Sequence, residues 1–281
     1  MATFAMAGAA SHAPGVTGWF SRADEKIQQR VRDAYQELGA TIRGAELDAL
    51  VIIGNDHLLN FPVTHYPDYA VGLAPVHSGP DEWFRPWLRV PEYRVNGASA
   101  VGAVIYRALR CAGFRAAAVQ YALRLDDNLS VPLTLCELTD TAIRVLPILQ
   151  NCTVPPLPDQ RATYRFGKTL GRVVRDELPA DARIGLLASG GMSHEPGGAG
   201  YLKIDEAFDR HFLELLAQGD HERVLSEVTI QAMEEAGSGG TTELLSWIAV
   251  MGAIGERPCE LLLYEPVVEW RCGIGAVKWD V

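Results

Sequence analysis

The chain has 281 residues, 48% apolar and 21% charged, proportions that exclude the disordered and fibrous classes. With 25 Lys and Arg against 35 Asp and Glu, its formal net charge of −10 opposes the counterion release that nucleic acids and anionic membranes reward, so neither partner is expected. The five cysteines are odd in number and form no CxxC pair, which reads as buried thiols in a reducing cytosol.

The first ten residues are apolar but carry no positive leader, and the run over residues 244–254 is too short and too polar to span a bilayer, so a cytoplasmic location is expected. No repeat with a period of roughly 20–50 residues is present, and one catalytic domain over residues 1–281 is the simplest organisation.

In chain order, a strand over residues 4–9 runs towards His12. Ser21 followed by Asp24 fits a capping box, and Ile27, Val31, Ala34, Tyr35 and Leu38 recur at helical spacing as far as Gly39. A second strand, 49–54, leads to His57. Residues 60–96 are rich in Pro, Trp, Tyr and His without a period, and read as a long surface excursion forming one wall of a pocket. Beyond it, helices are expected over 98–112, 159–177, 205–217, 223–235 and 242–254, and strands over 116–121, 144–149, 184–189, 259–264 and 272–277. Short apolar runs alternating with amphipathic stretches favour an α/β sandwich. Two glycine-rich stretches, 190–200 and 237–240, free the backbone to approach a ligand closely.

Three of the seven histidines, His12, His57 and His194, follow predicted strands. Ligands of open α/β sheets gather beyond the carboxyl ends of strands, so three imidazoles delivered there by separate strands can share one crevice. His65 and His77 fall in the irregular excursion, and His211 and His221 in or beside helices whose polar faces can solvate them. Neutral imidazoles suit Fe, Zn and Cu, and a carboxylate completes either a zinc site or a facial triad for non-haem Fe(II). Glu243, following Gly239, Gly240, Thr241 and Thr242 at the start of an otherwise apolar helix, is the leading candidate, with Asp56, Glu195 and Asp126 as rivals.

Taken together, Ser11-His12-Ala13-Pro14, Asn55-Asp56-His57, Gly191-Met192-Ser193-His194 and Glu243-Leu244-Leu245-Ser246-Trp247 resemble the class III extradiol ring-cleavage dioxygenases, of the type of the protocatechuate 4,5-dioxygenase catalytic β subunit. The resemblance runs from residue 11 to about 255, in matching order and spacing. It implies a three-layer α/β/α fold with a central mixed sheet. It further implies that His12, His57 and Glu243 bind Fe(2+), that His194 is the catalytic acid/base, and that the substrates are dioxygen and a catechol-type or 2-aminophenol-type ring. Homo-oligomers also follow from the resemblance, and some relatives need a small α-type partner subunit to roof the site, a cover that no obvious extension of this chain would supply.

One position departs from the pattern. Asp127 stands where relatives carry a second pocket histidine; it reads either as a substrate contact, an acceptor for a hydroxyl or amino group, or as a loop-capping acid. A carboxylate there disfavours an acid-bearing ring unless a Lys or Arg intervenes. Two other readings of the same residues are a zinc-dependent hydrolase and a non-catalytic regulatory or interaction subunit.

Overall fold

Every residue of the segment Ala49–Asn55 is buried, as expected of a parallel strand covered on both faces. In the computed structural model, which describes residues 3–281, it is the second of ten strands: β1 (Thr3–Ala10), β2 (Ala49–Asn55), β3 (Tyr69–Gly72), β4 (Val76–Gly79), β5 (Tyr93–Asn96), β6 (Ala116–Val119), β7 (Arg144–Gln150), β8 (Arg183–Ser189), β9 (Cys259–Val267) and β10 (Cys272–Trp279). Eight form one sheet in the order β6-β3-β7-β2-β8-β1-β10-β9, while β4 and β5 pair as a separate hairpin. The central strands β7, β2, β8 and β1 run parallel, and β3 and β10 join antiparallel to β7 and β1, so the sheet is mixed.

Helices cover both faces, as expected for a three-layer sandwich. Val51 and Ile53 pack into one apolar cluster with the Gln160–Glu177 and Leu245–Ile254 helices, while Leu50 and Ile52 pack into the other with the Glu25–Gly44 and Asp127–Leu135 helices. The Leu245–Ile254 helix is buried along its whole length. It lies unusually close to its neighbour because two glycines permit it: a Cβ on Gly167 would stand 2.0 Å from the Ala249 carbonyl oxygen, and one on Gly171 2.2 Å from that of Ala253. Among the described residues no helix is long and apolar enough to cross a membrane.

Several local expectations are corrected. The first long helix is capped by Asp24, which accepts from the Lys26 backbone, rather than by Ser21, and it continues through Gly39 to Gly44. Burial of Leu38 and Ile42 sustains the extra turn. The 223–235 helix is two, His221–Glu227 and Ile230–Ala236, because Thr229 caps a new helix by accepting from Ala232 N. Residues 241–244 form a 3-10 turn ahead of the Leu245–Ile254 helix. The excursion is only partly a surface feature. It contributes β3 to the main sheet, with Tyr69 stacked on Phe166 at 4.0 Å, and the β4–β5 hairpin. A strand of four residues is too short to show a period. His221, expected to be solvated, is instead buried, with Nδ1 at 2.9 Å from Tyr164 Oη.

His77, on β4, is completely buried, and neither ring nitrogen has a hydrogen-bond partner among the described residues. Burial lowers its pKa to about 4 from the usual 6.5. The folded state therefore disfavours the proton that the unfolded chain takes up below pH 6.5, and stability falls as the pH drops from there towards 4. Between pH 7.5 and 4.5 this contributes a loss of about 2–3 kcal/mol. Urea unfolding at both pH values should show His77→Leu losing less than the parent chain by that amount; equal losses would remove His77 from the acid response.

Candidate active site

The parallel strands all end on one edge of the sheet, and the site is built there. His12 lies two residues past β1, His57 two past β2 and His194 five past β8. Glu243 arrives from the opposite direction, on the 3-10 turn before the buried Leu245–Ile254 helix. That turn is pinned to the sheet edge. Ser246 donates to the Ser189 and Glu243 carbonyls, the Trp247 indole donates to the Gly190 carbonyl at 3.1 Å, and Gly191 N donates to Glu243 Oε2 at 2.7 Å.

The four side chains converge. His12 Nε2 lies 3.1 Å from Glu243 Oε2, His57 Nε2 lies 3.0 Å from Oε1, and His194 Nε2 lies 4.0 Å from Oε1. The rings of His12 and His57 meet edge to face with centroids 5.3 Å apart.

The far nitrogens fix the tautomers. Ser189 Oγ donates to the Asn128 carbonyl, so it receives the His12 Nδ1 proton at 3.0 Å. His57 Nδ1 donates to Asp126 Oδ2 at 3.0 Å, and Asp126 also accepts from His57 N and Asn128 N. Both Nε2 atoms are thereby turned onto the Glu243 carboxylate at 3.0–3.1 Å, contacts that either a ring proton or a metal ion satisfies. The titration directions reflect the negative charge gathered here, which favours any cation, a proton included. Burial opposes charging of His12 and His57, but the carboxylates facing them prevail and raise both pKa values, chiefly Glu243 for His12 and Asp127 and Asp126 for His57. Burial also favours neutral Glu243, yet the facing His12, with help from His57 and His194, holds its carboxyl well below the usual carboxylate range. Two imidazoles and one carboxylate, each imidazole held by a second partner, are a donor set that fits a divalent transition metal.

His194 is arranged differently. Its Nδ1 donates to the Met192 carbonyl at 2.8 Å, and its Nε2 faces the cluster. Glycines hold the ring, since a Cβ on Gly240 would stand 2.6 Å from Nε2 and one on Gly191 2.7 Å from Cε1. The preceding residue is anchored by Asp209, a buried carboxylate that accepts from Ser193 N, Ser193 Oγ and Tyr264 Oη, each at 2.8 Å. Burial raises the Asp209 pKa to about 6.

Asp127 sits in the first turn of the Asp127–Leu135 helix, an element absent from the expected list, and is 4% exposed. Its Oδ1 lies 3.1 Å from His57 Nδ1, but Asp126 takes that proton, and Oδ1 has no hydrogen-bond donor among the described residues. One ligand atom each from His12, His57 and Asp127 also falls within a 4.8 Å group. Glu243 meets both Nε2 atoms, whereas Asp127 meets the His57 nitrogen already committed to Asp126.

The rival carboxylates have other duties. Asp56 accepts from Asn60 and Tyr66, Asp126 orients His57, and Glu195 lies against the Gly198 and Gly200 backbone at the cavity rim. His211 pairs with Glu227 on the surface. Ser189, Asn128 and Asp209 were not singled out by sequence; buried polar residues around strand ends are the one signal they carry, and it names no role.

The cluster opens into a cavity of about 590 Å³ whose aromatic lining includes Trp19, Trp83, Phe84, Trp87, Tyr201 and Trp270. The first, second and last of these come from the start of the chain, the β4–β5 excursion and the β9–β10 turn. A larger cavity of about 820 Å³, beside β6 and containing His65, holds none of the four groups.

Similarity to known proteins extends over almost the whole chain. Residues 7–275 match the family model described as the catalytic LigB subunit of aromatic ring-opening dioxygenase. The chain belongs to the LigB family. This LigB-family chain is 25% identical to the 2,3-dihydroxyphenylpropionate/2,3-dihydroxicinnamic acid 1,2-dioxygenase of Photorhabdus laumondii, covering 92% of each chain. It is 23% identical to an enzyme of the same description from Pseudomonas putida, over 95% of this chain and 96% of that one. Among solved structures, an uncharacterized protein of Escherichia coli K12 shares the fold with a TM-score of 0.58 at 15% identity, over 89% of this chain and 92% of that one. The LigB-family chain is thus an aromatic ring-cleavage dioxygenase of the extradiol class, with the α/β fold of such proteins.

Proposed function

We propose that the enzyme opens catechol-type or 2-aminophenol-type rings next to the paired ring substituents, using dioxygen and Fe(II) held by His12, His57 and Glu243. The observation that carries this reading is the convergence of two Nε2 atoms on one buried carboxylate, with His194 Nε2 at 4.0 Å. A ferrous ion in that donor set supplies a chelation site for two neighbouring ring heteroatoms and a path for electrons to dioxygen.

The chain's own groups supply the rest. His194 Nε2 takes the proton of a ring hydroxyl as the substrate binds, while the Met192 carbonyl stabilises the resulting imidazolium through the Nδ1 proton. Once charged, the same ring can return that proton later in the cycle. Asp127 Oδ1, buried and without a donor, accepts a hydrogen bond from a hydroxyl or amino group of the ring. The aromatic walls hold the ring's apolar faces and exclude water. Part of the roof that a small partner subunit would supply comes from this chain's own Trp83, Phe84 and Trp87.

Anaerobic loading with Fe(II) or Zn(II), followed by oxygen uptake and appearance of a yellow product from a panel of catechols and 2-aminophenols, tests the reading. Uptake with Fe(II) only is expected. Hydrolytic turnover with Zn(II), and no oxygen uptake with any substrate, would overturn it.

A further inference from the structure

The cavity above the cluster is lined by three acids, Asp127, Glu195 and Glu243, and among the described residues Arg271 is the one Lys or Arg that joins them. Its setting is unusual. Arg271 occupies the turn between β9 and β10 in a left-handed conformation, φ 65°. Its guanidinium lies 5.3 Å from the Trp19 ring centroid and 4.4 Å from that of Tyr201. Among the described residues it has neither an ion-pair nor a hydrogen-bond partner, although Glu195 lines the same cavity. Glu195 instead faces the Gly198 and Gly200 backbone. Aromatic faces hold a guanidinium in place by cation–π attraction while leaving its in-plane N–H groups unused, and such a fork matches a carboxylate in two-point geometry.

The turn also sets the position. Cys272, the first residue of β10, packs beside His194: a Cβ on Gly191 would stand 3.1 Å from Cys272 Sγ and 2.7 Å from the His194 ring. Arg271 therefore marks the His194 side of the cavity, while Asp127 stands on a separate element next to His57.

We propose that Arg271 is a specificity-determining residue of this cavity, binding the carboxylate of an acid-bearing aromatic substrate and drawing that acid arm to the β9–β10 turn. This rests on the ring-cleavage reading for the identity of the ring, but not for the binding of the acid. Like-charge repulsion from Asp127 and attraction to Arg271 act in the same sense, fixing which end of the ring meets the cluster. A charge-assisted fork of this kind corresponds to roughly 10- to 100-fold in affinity.

The test uses the Fe(II)-loaded enzyme without oxygen and a series of catechols whose carboxylate stands on the ring or on a one- or two-carbon arm, each beside its methyl ester. Binding is read from quenching of the cavity tryptophans. At least one acid should bind 10- to 100-fold more tightly than its ester, Arg271→Gln should erase that preference without weakening the ester, and Arg271→Lys should restore part of it. Unchanged melting temperatures exclude misfolding. No preference for any acid in the parent chain, or a preference that survives Arg271→Gln, overturns the proposal. Admitting oxygen afterwards separates the two readings: arginine-dependent binding of an acid that is never cleaved would leave the carboxylate site standing and refute ring cleavage.

Discussion

Glu243→Ala should abolish both metal retention and ring cleavage. Among the described residues Glu243 is the one ion-pair partner that both Nε2 atoms share, and removing it leaves two imidazoles that cannot complete a site on their own. Loss of an outer-shell partner already weakens metal binding by about 10- to 100-fold, so loss of this ligand should exceed about 100-fold. Metal analysis after equilibration with Fe(II) and removal of the excess should find the parent chain near one ion per chain and the variant almost empty. Glu243 also receives the Gly191 N–H, so Glu243→Gln, which preserves the shape, separates lost coordination from lost packing. Full metal content in either variant would remove Glu243 from the donor set and leave Asp127, the other carboxylate near the pair, as its replacement.

His194→Ala has the second largest expected effect, with a different signature. No bond to the cluster is lost, because His194 Nε2 stands 4.0 Å from Glu243 and its Nδ1 proton is given to a backbone carbonyl. Metal content and anaerobic diol binding should persist, while turnover falls by about 10²- to 10⁴-fold, the usual contribution of a positioned general acid or base. Turnover equal to that of the parent at full metal occupancy would exclude His194 from proton transfer. The pair of variants therefore distinguishes holding the metal from moving the proton, which a single loss of activity would not.

Much of the architecture was readable before any coordinates. β1, β2, β7 and β8 are short apolar runs bounded by polar or glycine residues, and their placement needs no partner information. The three strand-end histidines were legible for the same reason: a residue just past a parallel strand lies on the ligand-binding edge wherever that strand sits in the sheet. β3 escaped notice because four residues carry no periodicity and only pairing with β6 and β7 makes them a strand. The Asp127–Leu135 helix escaped because Pro132 within it argues against helix locally, while its burial against the Glu25–Gly44 helix overrides that signal.

The roles of individual polar groups divide along the same line. From the amino-acid order came the chemical inventory, namely the histidines, the acids and the glycine-rich stretches, together with the motif spacing that carried the resemblance to extradiol dioxygenases. Which nitrogen of each histidine is free, whether Asp127 or Asp126 receives the His57 proton, and where Arg271 meets the cavity depended on contacts between residues 69 to more than 250 positions apart. Periodicity and capping are local, recorded within a few neighbouring side chains, so a chain written in one dimension displays them. Tautomer, donor sharing and the pairing of charges are set by groups that meet only after the sheet has closed, and no local pattern encodes them.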